Sequence, residues 1–320
     1  MCQKKKCYVG FDTSNYTTSV AVCDEDGVIV ANLKAPLIVK DGERGLRQSD
    51  AVFAHIKNLP GLTVKLTEIL RDYEPVAVCY SDTPRTAEGS YMPCFLPGGV
   101  AAHAFAAPQD LPVYKTAHQN GHIVAAMYSA GAIDRLKDTR FLAFHVSGGT
   151  TEVLLVTPCN GELDINLVGE TKDINAGQAI DRVGVMMGLS FPCGKALEKL
   201  AAEYIGRIEK RPISVSDGCC CLSGIENIAE KIYRDSGDSS RTAAFVFDFL
   251  CRTLMAMAEQ CIQKYGEMPI LFAGGVMSNK LMRTRISERF DAYFAEPEFS
   301  ADNAAGVALI CRNKMMKGDS

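Results

Sequence analysis

The chain has 320 residues, 47% apolar and 22% charged, with 34 Lys plus Arg against 38 Asp plus Glu and a formal net charge of −4. That balance excludes a disordered chain and a collagen-like repeat, and it argues against a general polyanion binder, so any RNA contact must come from a local basic patch. The length suits about two domains of roughly 150 residues, and no apolar run reaches the ~18 residues needed to cross a bilayer.

The first six residues, Met1 to Lys6, are basic, but Cys7 to Phe11 is too short for a signal-peptide core and Asp12 follows at once, which predicts a cytosolic protein. Cys7-Tyr8-Val9-Gly10-Phe11 reads as a buried strand that ends in a polar turn, Asp12-Thr13-Ser14-Asn15. Strands follow at Ser19–Cys23 and Val28–Ala31. About 134 residues later the same order recurs: Phe141–Val146, the turn Ser147-Gly148-Gly149-Thr150, then Glu152–Val156, a turn at Pro158–Gly161, and Leu163–Val168. Two unrelated meanders would give this pattern, and so would a duplicated domain.

Between the two units the chain reads as mostly helical: Ser49–Leu70, Gly98–Ala107 and Thr116–Tyr128, with an irregular Pro/Gly-rich loop from Thr83 to Gly99. After the second unit come helices at Ala176–Gly188, Gly194–Ile205, Gly224–Tyr233 and Ser240–Tyr265. A late strand, Pro269–Ala273, leads through Gly274-Gly275 into a helix near Ser278, and a last helix covers about Asn303–Met316. Strands followed by helices, twice over, predict α/β layers. The 13 cysteines are scattered and no pair of CxxC motifs faces another, so they read as small buried thiols of a reducing compartment and not as a disulfide or zinc framework.

Three glycine- or serine-rich turns follow strands directly: Asp12-Thr13-Ser14, Ser147–Thr151 and Gly274–Asn279. Exposed backbone N–H groups in such turns can bind phosphate without a basic side chain. No GxxxxGK[ST] loop or well-placed GxGxxG is present, so those nucleotide folds are not supported. His118 and His122 stand four apart in a helical stretch, which places both imidazoles on one face, either as a shared metal pair or as two surface residues. The metalloprotease pattern would need Glu at position 119, and Gln119 cannot act as its base. Asp173, Asp181 and Glu198 read as caps or as polar contacts to a ligand. Lys280, Arg283, Arg285 and Arg289 read as a solvated helix face or as a patch for RNA.

Together these residues resemble the universal family that installs threonylcarbamoyl on tRNA adenosine, formerly described as an O-sialoglycoprotein endopeptidase. Phe11-Asp12-Thr13-Ser14 with Thr18–Val22 is similar to its first phosphate turn, His118-x-x-x-His122 to its metal pair, and His145–Thr151 to its second phosphate turn. Gly169-Glu170-Thr171, Ala176–Arg182 and Pro192-Cys193-Gly194 with Leu197–Leu200 resemble its nucleoside-binding helices, Ala273–Val276 with Asn279 its adenosine turn, and Ala301–Ala305 the segment that supplies a third metal ligand.

The resemblance implies an α/β fold of the actin-like, sugar-kinase-like kind: two similar lobes with a nucleotide cleft between them. Residues 1–116 would form the first lobe, completed by a C-terminal helix over 303–320, and 117–302 the second. His118, His122 and Asp302 would hold one divalent ion, iron or zinc. Val146, Ser147, Gly148, Gly149 and Thr150 would hold threonylcarbamoyl-AMP or ATP/ADP, with Asp181, Gly194, Glu198 and Asn279 on the adenosine and Asp12, Thr13 and Ser14 as a phosphate turn. The implied reaction moves threonylcarbamoyl from its adenylate to the exocyclic amine of the adenosine beside the anticodon, with tRNA, accessory proteins including a paralogous subunit, and no membrane as partners.

Several positions depart from the family pattern. Asn15, Tyr16 and Thr17 stand where it carries acidic residues, Thr150 where it carries histidine, Gln178 where Glu is common and Cys193 where it has glycine, and Thr83–Gly98 does not read like its Gly-Pro-Gly stretch. A paralogue that binds ATP or adenylate as a regulatory or scaffold module is the alternative these departures raise.

Overall fold

The computed structural model describes residues 4–14, 16–38, 46–87, 89–159, 162–300 and 302–318. Asn15, Asn160, Gly161 and Ala301 lie outside the described residues, as do Met1 to Gln3 and the last two residues, 319 and 320, of the segment expected to be helical over 303–320. In chain order the elements are β1 (Lys5–Ser14), β2 (Thr17–Asp24), β3 (Ile29–Pro36), α1 (Gln48–Ile69), β4 (Tyr73–Thr83), α2 (Leu96–Ala106), β5 (Val113–Ala117), α3 (His118–Ser129), α4 (Ile133–Leu136), β6 (Phe141–Val146), β7 (Thr151–Cys159), β8 (Glu162–Glu170), α5 (Ala176–Met186), α6 (Gly194–Glu203), β9 (Ser214–Ser216), β10 (Cys219–Cys221), α7 (Gly224–Ser236), α8 (Ser239–Tyr265), β11 (Ile270–Ala273), α9 (Lys280–Ser287), β12 (Ala292–Phe294), α10 (Pro297–Ser300) and α11 (Ala305–Lys317).

The chain divides into two compact units, one of residues 1–129, 158–164 and 298–320, the other of 130–157 and 165–297. The boundary after Ser129 corrects the expected one after Thr116: α3 packs on α11 and so belongs with the first unit.

The sheet of the first unit has the order β3-β2-β1-β4-β5; that of the second has β12-β11-β6-β7-β8. In each, a central strand pairs antiparallel with its sequence successor (β1 with β2, β6 with β7) and parallel with a later strand (β4, β11), which pairs parallel with an edge strand (β5, β12). The same order, with the same directions in the strands β2-β1-β4-β5 and β7-β6-β11-β12, resolves the alternative left open by the sequence in favour of a repeated architecture.

In the first unit, strand alternation divides the side chains of β1 between two faces. Val9 and Phe11 join Leu62, Leu66, Ala102 and Ala106 from α1 and α2 in an apolar core. Gly10 lies on the other face, where a Cβ would stand 2.5 Å from the Ala308 amide of α11. Asp12 shares that face. In the second unit α5 to α8 cover a larger core around Phe144, Phe245 and Phe272. Asp238 caps α8 by accepting from the Arg241 amide at 2.9 Å, and buried Asp248 takes Arg252 and Arg285 at 2.7 Å each, joining α8 to α9.

Several expectations need correction. Asp12-Thr13-Ser14 is not a turn: β1 runs through Ser14, paired with β2 from Thr17. Strands β4 and β5 were not expected: β4 fills the gap after the helix expected to end at Leu70, where Val76–Tyr80 is a short apolar run whose period cannot separate a buried strand from a helix, and β5 takes Thr116 and Ala117 from the start of the helix expected over Thr116–Tyr128. The irregular loop is shorter than expected, since a single 3-10 turn at Pro93–Phe95 leads straight into α2 at Leu96. The hairpin β9–β10 was not expected, although its Asp217-Gly218 corner, with φ of 51° and 76°, is the Asp-Gly pair that tight hairpins favour.

All twelve described cysteines are free thiols and nine are buried. Burial pushes Cys7, Cys23 and Cys79 up to about 12. Among the described residues no helix is long and apolar enough to cross a membrane.

Gly121 of α3 and Gly306 of α11 bring the two helices into close backbone contact: a Cβ on Gly306 would overlap the Gly121 carbonyl. Gly306→Ala is therefore expected to lower stability by roughly 1–3 kcal/mol, the usual cost of overpacking, read as a fall in the urea midpoint. An unchanged midpoint would refute so tight a contact.

Candidate functional site

Strand β5 delivers the chain directly into α3, whose first residue is His118. One turn later comes His122, and because residues four apart on a helix lie on one face, the two imidazoles meet. Their Nε2 atoms are 2.8 Å apart. Asp302, distant by 180 residues, brings Oδ1 to 3.2 Å from His122 Nε2 and 3.7 Å from His118 Nε2. Its loop is steadied by Asn303, whose side chain accepts from the Ala305 amide and donates to the Phe299 carbonyl. One ligand atom from each of the three lies within 4.8 Å of the others, and no other such group of three or more metal-ligating residues occurs among the described residues.

The other nitrogen of His118, Nδ1, is 2.8 Å from Asp12 Oδ1. Asp12 is fully buried, while the side chains of His118, His122 and Asp302 keep 17%, 21% and 23% exposure and can be reached from solvent. Phe95 packs its ring against His118, with centroids 5.8 Å apart.

Two imidazole nitrogens and a carboxylate oxygen so close together need a proton or a cation between them. Burial opposes a charged His118, but Asp12 and Asp302 outweigh it and raise its pKa to about 10. Burial likewise disfavours the Asp302 carboxylate, yet hydrogen bonds and charge from His118 and His122 hold it well below the usual carboxylate range. A divalent cation would supply the same charge. Two neutral imidazoles and one carboxylate suit zinc or iron, and three protein ligands leave a coordination position open.

The second unit holds the Ser147–Thr150 turn between β6 and β7. Ser147 N donates to the Thr150 carbonyl at 2.7 Å, and Ser147 Oγ accepts from the Gly149 and Thr150 amides at 3.2 and 3.1 Å. The start of α5 lies on this turn. Gly177 N donates to the Ser147 carbonyl at 3.0 Å, and a Cβ at 177 would be 2.7 Å from Gly148, so only glycine allows this approach. Gln178 has a local role: with Asn175 it completes a capping box at the start of α5.

Val146 ends β6 and is buried; β11 runs beside it, with Ala273 opposite His145. Asp181 Oδ1 accepts from the Cys193 amide at 2.8 Å, just before α6 opens at Gly194. Glu198 Oε1 accepts from the Lys280 amide at 2.7 Å, next to Asn279, whose side-chain oxygen caps α9 through the Met282 amide at 2.9 Å. The Asn279 Nδ2 is buried without a partner. Helices α5, α6 and α9 are thus tied start to side chain.

The TsaD family pattern, described as tRNA N6-adenosine threonylcarbamoyltransferase, matches residues 74–309, a span that contains every element of both sites except Asp12, Thr13 and Ser14. This chain belongs to that family. Among solved structures it is similar to full-length HypF in a phosphate- and nucleotide-bound form, with a TM-score of 0.59 at 15% identity, covering 99% of this chain and 57% of that one. It is similar too to component A of the (R)-2-hydroxyglutaryl-CoA dehydratase of Acidaminococcus fermentans, with a TM-score of 0.51 at 13% identity over 97% and 99% of the two chains. The chain therefore spans only a little more than half of the HypF it matches. Identities this low carry the fold, and the fold is the expected actin-like, sugar-kinase-like α/β arrangement of two units.

For this TsaD-family chain the structure gathers some expected site residues and reassigns others. His118, His122 and Asp302 meet; Asp181 lies beside the start of α6, and Glu198 beside Asn279. Asp12, Thr13 and Ser14 offer no exposed turn: all three are buried, and Thr13 Oγ1 accepts from the Gly98 amide at 3.1 Å. Asp173 is a structural carboxylate: burial opposes its charge, but the Leu222, Ser223 and Ile174 amides bring it down to about 2. Of the basic stretch, the three arginines are paired within their own unit. Arg283 donates to the Met277 and Ala295 carbonyls, Arg285 binds Asp248, and Arg289 binds Glu259. The contact of Asp12 with His118 was missed, though its position two residues beyond Gly10 on the inner face of β1 was readable.

The raised His118 and depressed Asp302 set a pH signature for chelator-treated protein. A raised imidazole stabilises fully below its ordinary 6.5 and loses that contribution as pH rises toward about 10; a depressed carboxylate stabilises above about pH 4 and loses it as pH falls. The urea midpoint is expected to decline between pH 6.5 and 10, and His118→Gln to flatten that limb. A wild-type midpoint level over this window would contradict it.

Proposed function

We propose that this protein transfers the threonylcarbamoyl group from threonylcarbamoyl-AMP to the N6 amine of the tRNA adenosine next to the anticodon, in the cytoplasm and with a bound iron or zinc ion. Family membership supports the reaction class. The observation that carries the metal-dependent reading is the meeting of His118, His122 and Asp302 across 180 residues of chain. The ion would supply Lewis-acid polarisation of the adenylate's phosphate or carbonyl oxygens.

The protein's own groups divide the remaining work. In the Ser147–Thr150 turn the Ser147, Gly149 and Thr150 amides are bonded within the turn, so the Gly148 N–H, with no side chain at 148 or 149 in the way, would be the one to meet the adenylate phosphate. Asp181 has a carboxylate suited to ribose hydroxyls, which donate hydrogen bonds. Gly194, Glu198 and Asn279 would line the adenosine, the free Nδ2 of Asn279 donating to a ring nitrogen or hydroxyl. tRNA would be the acceptor, and accessory proteins of the pathway, a paralogous subunit among them, the partners.

One observation favours a second reading. Tyr16 and Thr17, with Asn15 before them, leave no acid directly after β1 to help deprotonate the attacking amine. A paralogue that binds adenylate as a scaffold would retain the metal and nucleotide sites and lack the transfer step.

The test is to incubate the purified protein with threonylcarbamoyl-AMP, tRNA and the partner subunits, and to quantify modified adenosine by mass spectrometry of digested tRNA. Modification by wild type, abolished in His118→Ala, is expected. Unmodified tRNA together with measurable adenylate binding would overturn the transferase reading and favour the scaffold.

A further inference from the structure

Asp12 is an anomaly in its strand. It stands fully buried on the face of β1 that looks toward α11, two residues from Gly10, where a small or apolar side chain would suffice for packing. Burying a carboxylate costs several kcal/mol unless something compensates. One compensation is visible: Oδ1 lies 2.8 Å from Nδ1 of His118, while Oδ2 is buried without a hydrogen-bond partner. The carboxylate is held where it is by the backbone, since Asp12 is in register with Ser19, whose hydroxyl donates to the Asp12 carbonyl at 3.2 Å. Next to it, Thr13 is fixed to the start of α2 through the Gly98 amide.

We infer that Asp12 is a positioning residue for the metal centre, one that keeps the proton of His118 on Nδ1 and so leaves the Nε2 lone pair for the ion. The inference rests on the metal reading above. A neutral imidazole carries one N–H and one lone pair, and a carboxylate can only accept. With Asp12 facing Nδ1, the proton must sit there, and the lone pair then points at the spot where His122 Nε2 and Asp302 Oδ1 converge. The same bond fixes the rotation of the ring, and the negative charge behind it makes Nε2 a better donor to a cation. Phe95, packed on the ring, limits the alternatives further.

This function differs from the phosphate turn that the sequence motif implied for Asp12. It uses the side chain and not the backbone amide, and it acts through His118 without touching substrate.

Two measurements on the full chain test it. In zinc-loaded wild-type protein, nitrogen-15 correlation spectra of the histidines are expected to show His118 protonated at Nδ1 and metal-bound at Nε2; a proton on Nε2 would overturn the assignment, whether or not any variant folds. In competition with a chromophoric chelator, Asp12→Ala is expected to bind zinc ~10–100-fold more weakly than wild type. Asp12→Asn, which keeps an acceptor oxygen for the Nδ1 proton, is expected to recover most of that loss; no recovery would show that the negative charge, and not the hydrogen bond to Nδ1, is what matters, while the position of the proton in the spectra separates this role from packing alone. Asp12→Ala with wild-type affinity would remove Asp12 from the centre while leaving the metal reading intact. Failure of wild type itself to take up zinc, alongside His118→Ala and Asp302→Ala that behave identically to it, would instead remove the metal reading and the inference with it.

Discussion

The close approach of α3 and α11, made possible by Gly121 and Gly306, brings two histidines within bonding distance of an aspartate 180 residues away. His118 and His122 owe their mutual spacing to helix geometry alone, but a helix pair by itself is only a potential half-site. Asp302 joins them because α11 opens three residues after it, at Ala305, and lies against both α3 and β1. A side chain at either glycine would force the two helices apart and carry Asp302 away from the two imidazoles. The chemistry of the first unit is therefore set by backbone-to-backbone packing more than by any one polar contact.

The two units use one strand order for different ends. In the first, the central strand β1 carries a buried carboxylate that faces a histidine. In the second, the equivalent strand β6 ends in an apolar valine and passes into a tight Ser-Gly-Gly-Thr turn on which the start of α5 rests. Each sheet thus places its functional group at the same end of the same strand, and what differs is whether a side chain or the backbone is offered.

Much of this was legible from residues and spacing. The histidine pair, the Ser147–Thr150 turn, the paired strand units and the late strand before Gly274 all stand where the pattern put them, because alternation and i, i+4 spacing report local geometry directly. What failed did so for physical reasons. The middle of strand β4, Ala77 to Ser81, is buried on both faces, so its apolar run lacks the alternation that marks a half-exposed strand, while β5 is a short edge strand interrupted by Lys115. Asp12-Thr13-Ser14 read as a turn because polar residues end strands more often than they continue them, and only a buried partner such as His118 justifies the exception. Arg283 and Arg285 of α9 and Arg289 just after it looked available to a polyanion because sequence does not show that Asp248, Glu259 and the carbonyls of Met277 and Ala295 already hold them.

The deep thiols make the chain its own clock for structural opening. Cys79 in β4 and Cys311 in α11 are sealed, with burial driving both toward the unreactive protonated form, whereas Cys221 stands at the surface. An alkylating reagent would label the surface thiol at the rate of the chemistry, but the sealed pair only as often as the first unit breathes open. Since Cys311 rides on the same helix that follows Asp302, its labelling rate would report, without any introduced probe, how tightly a bound ion closes that part of the fold.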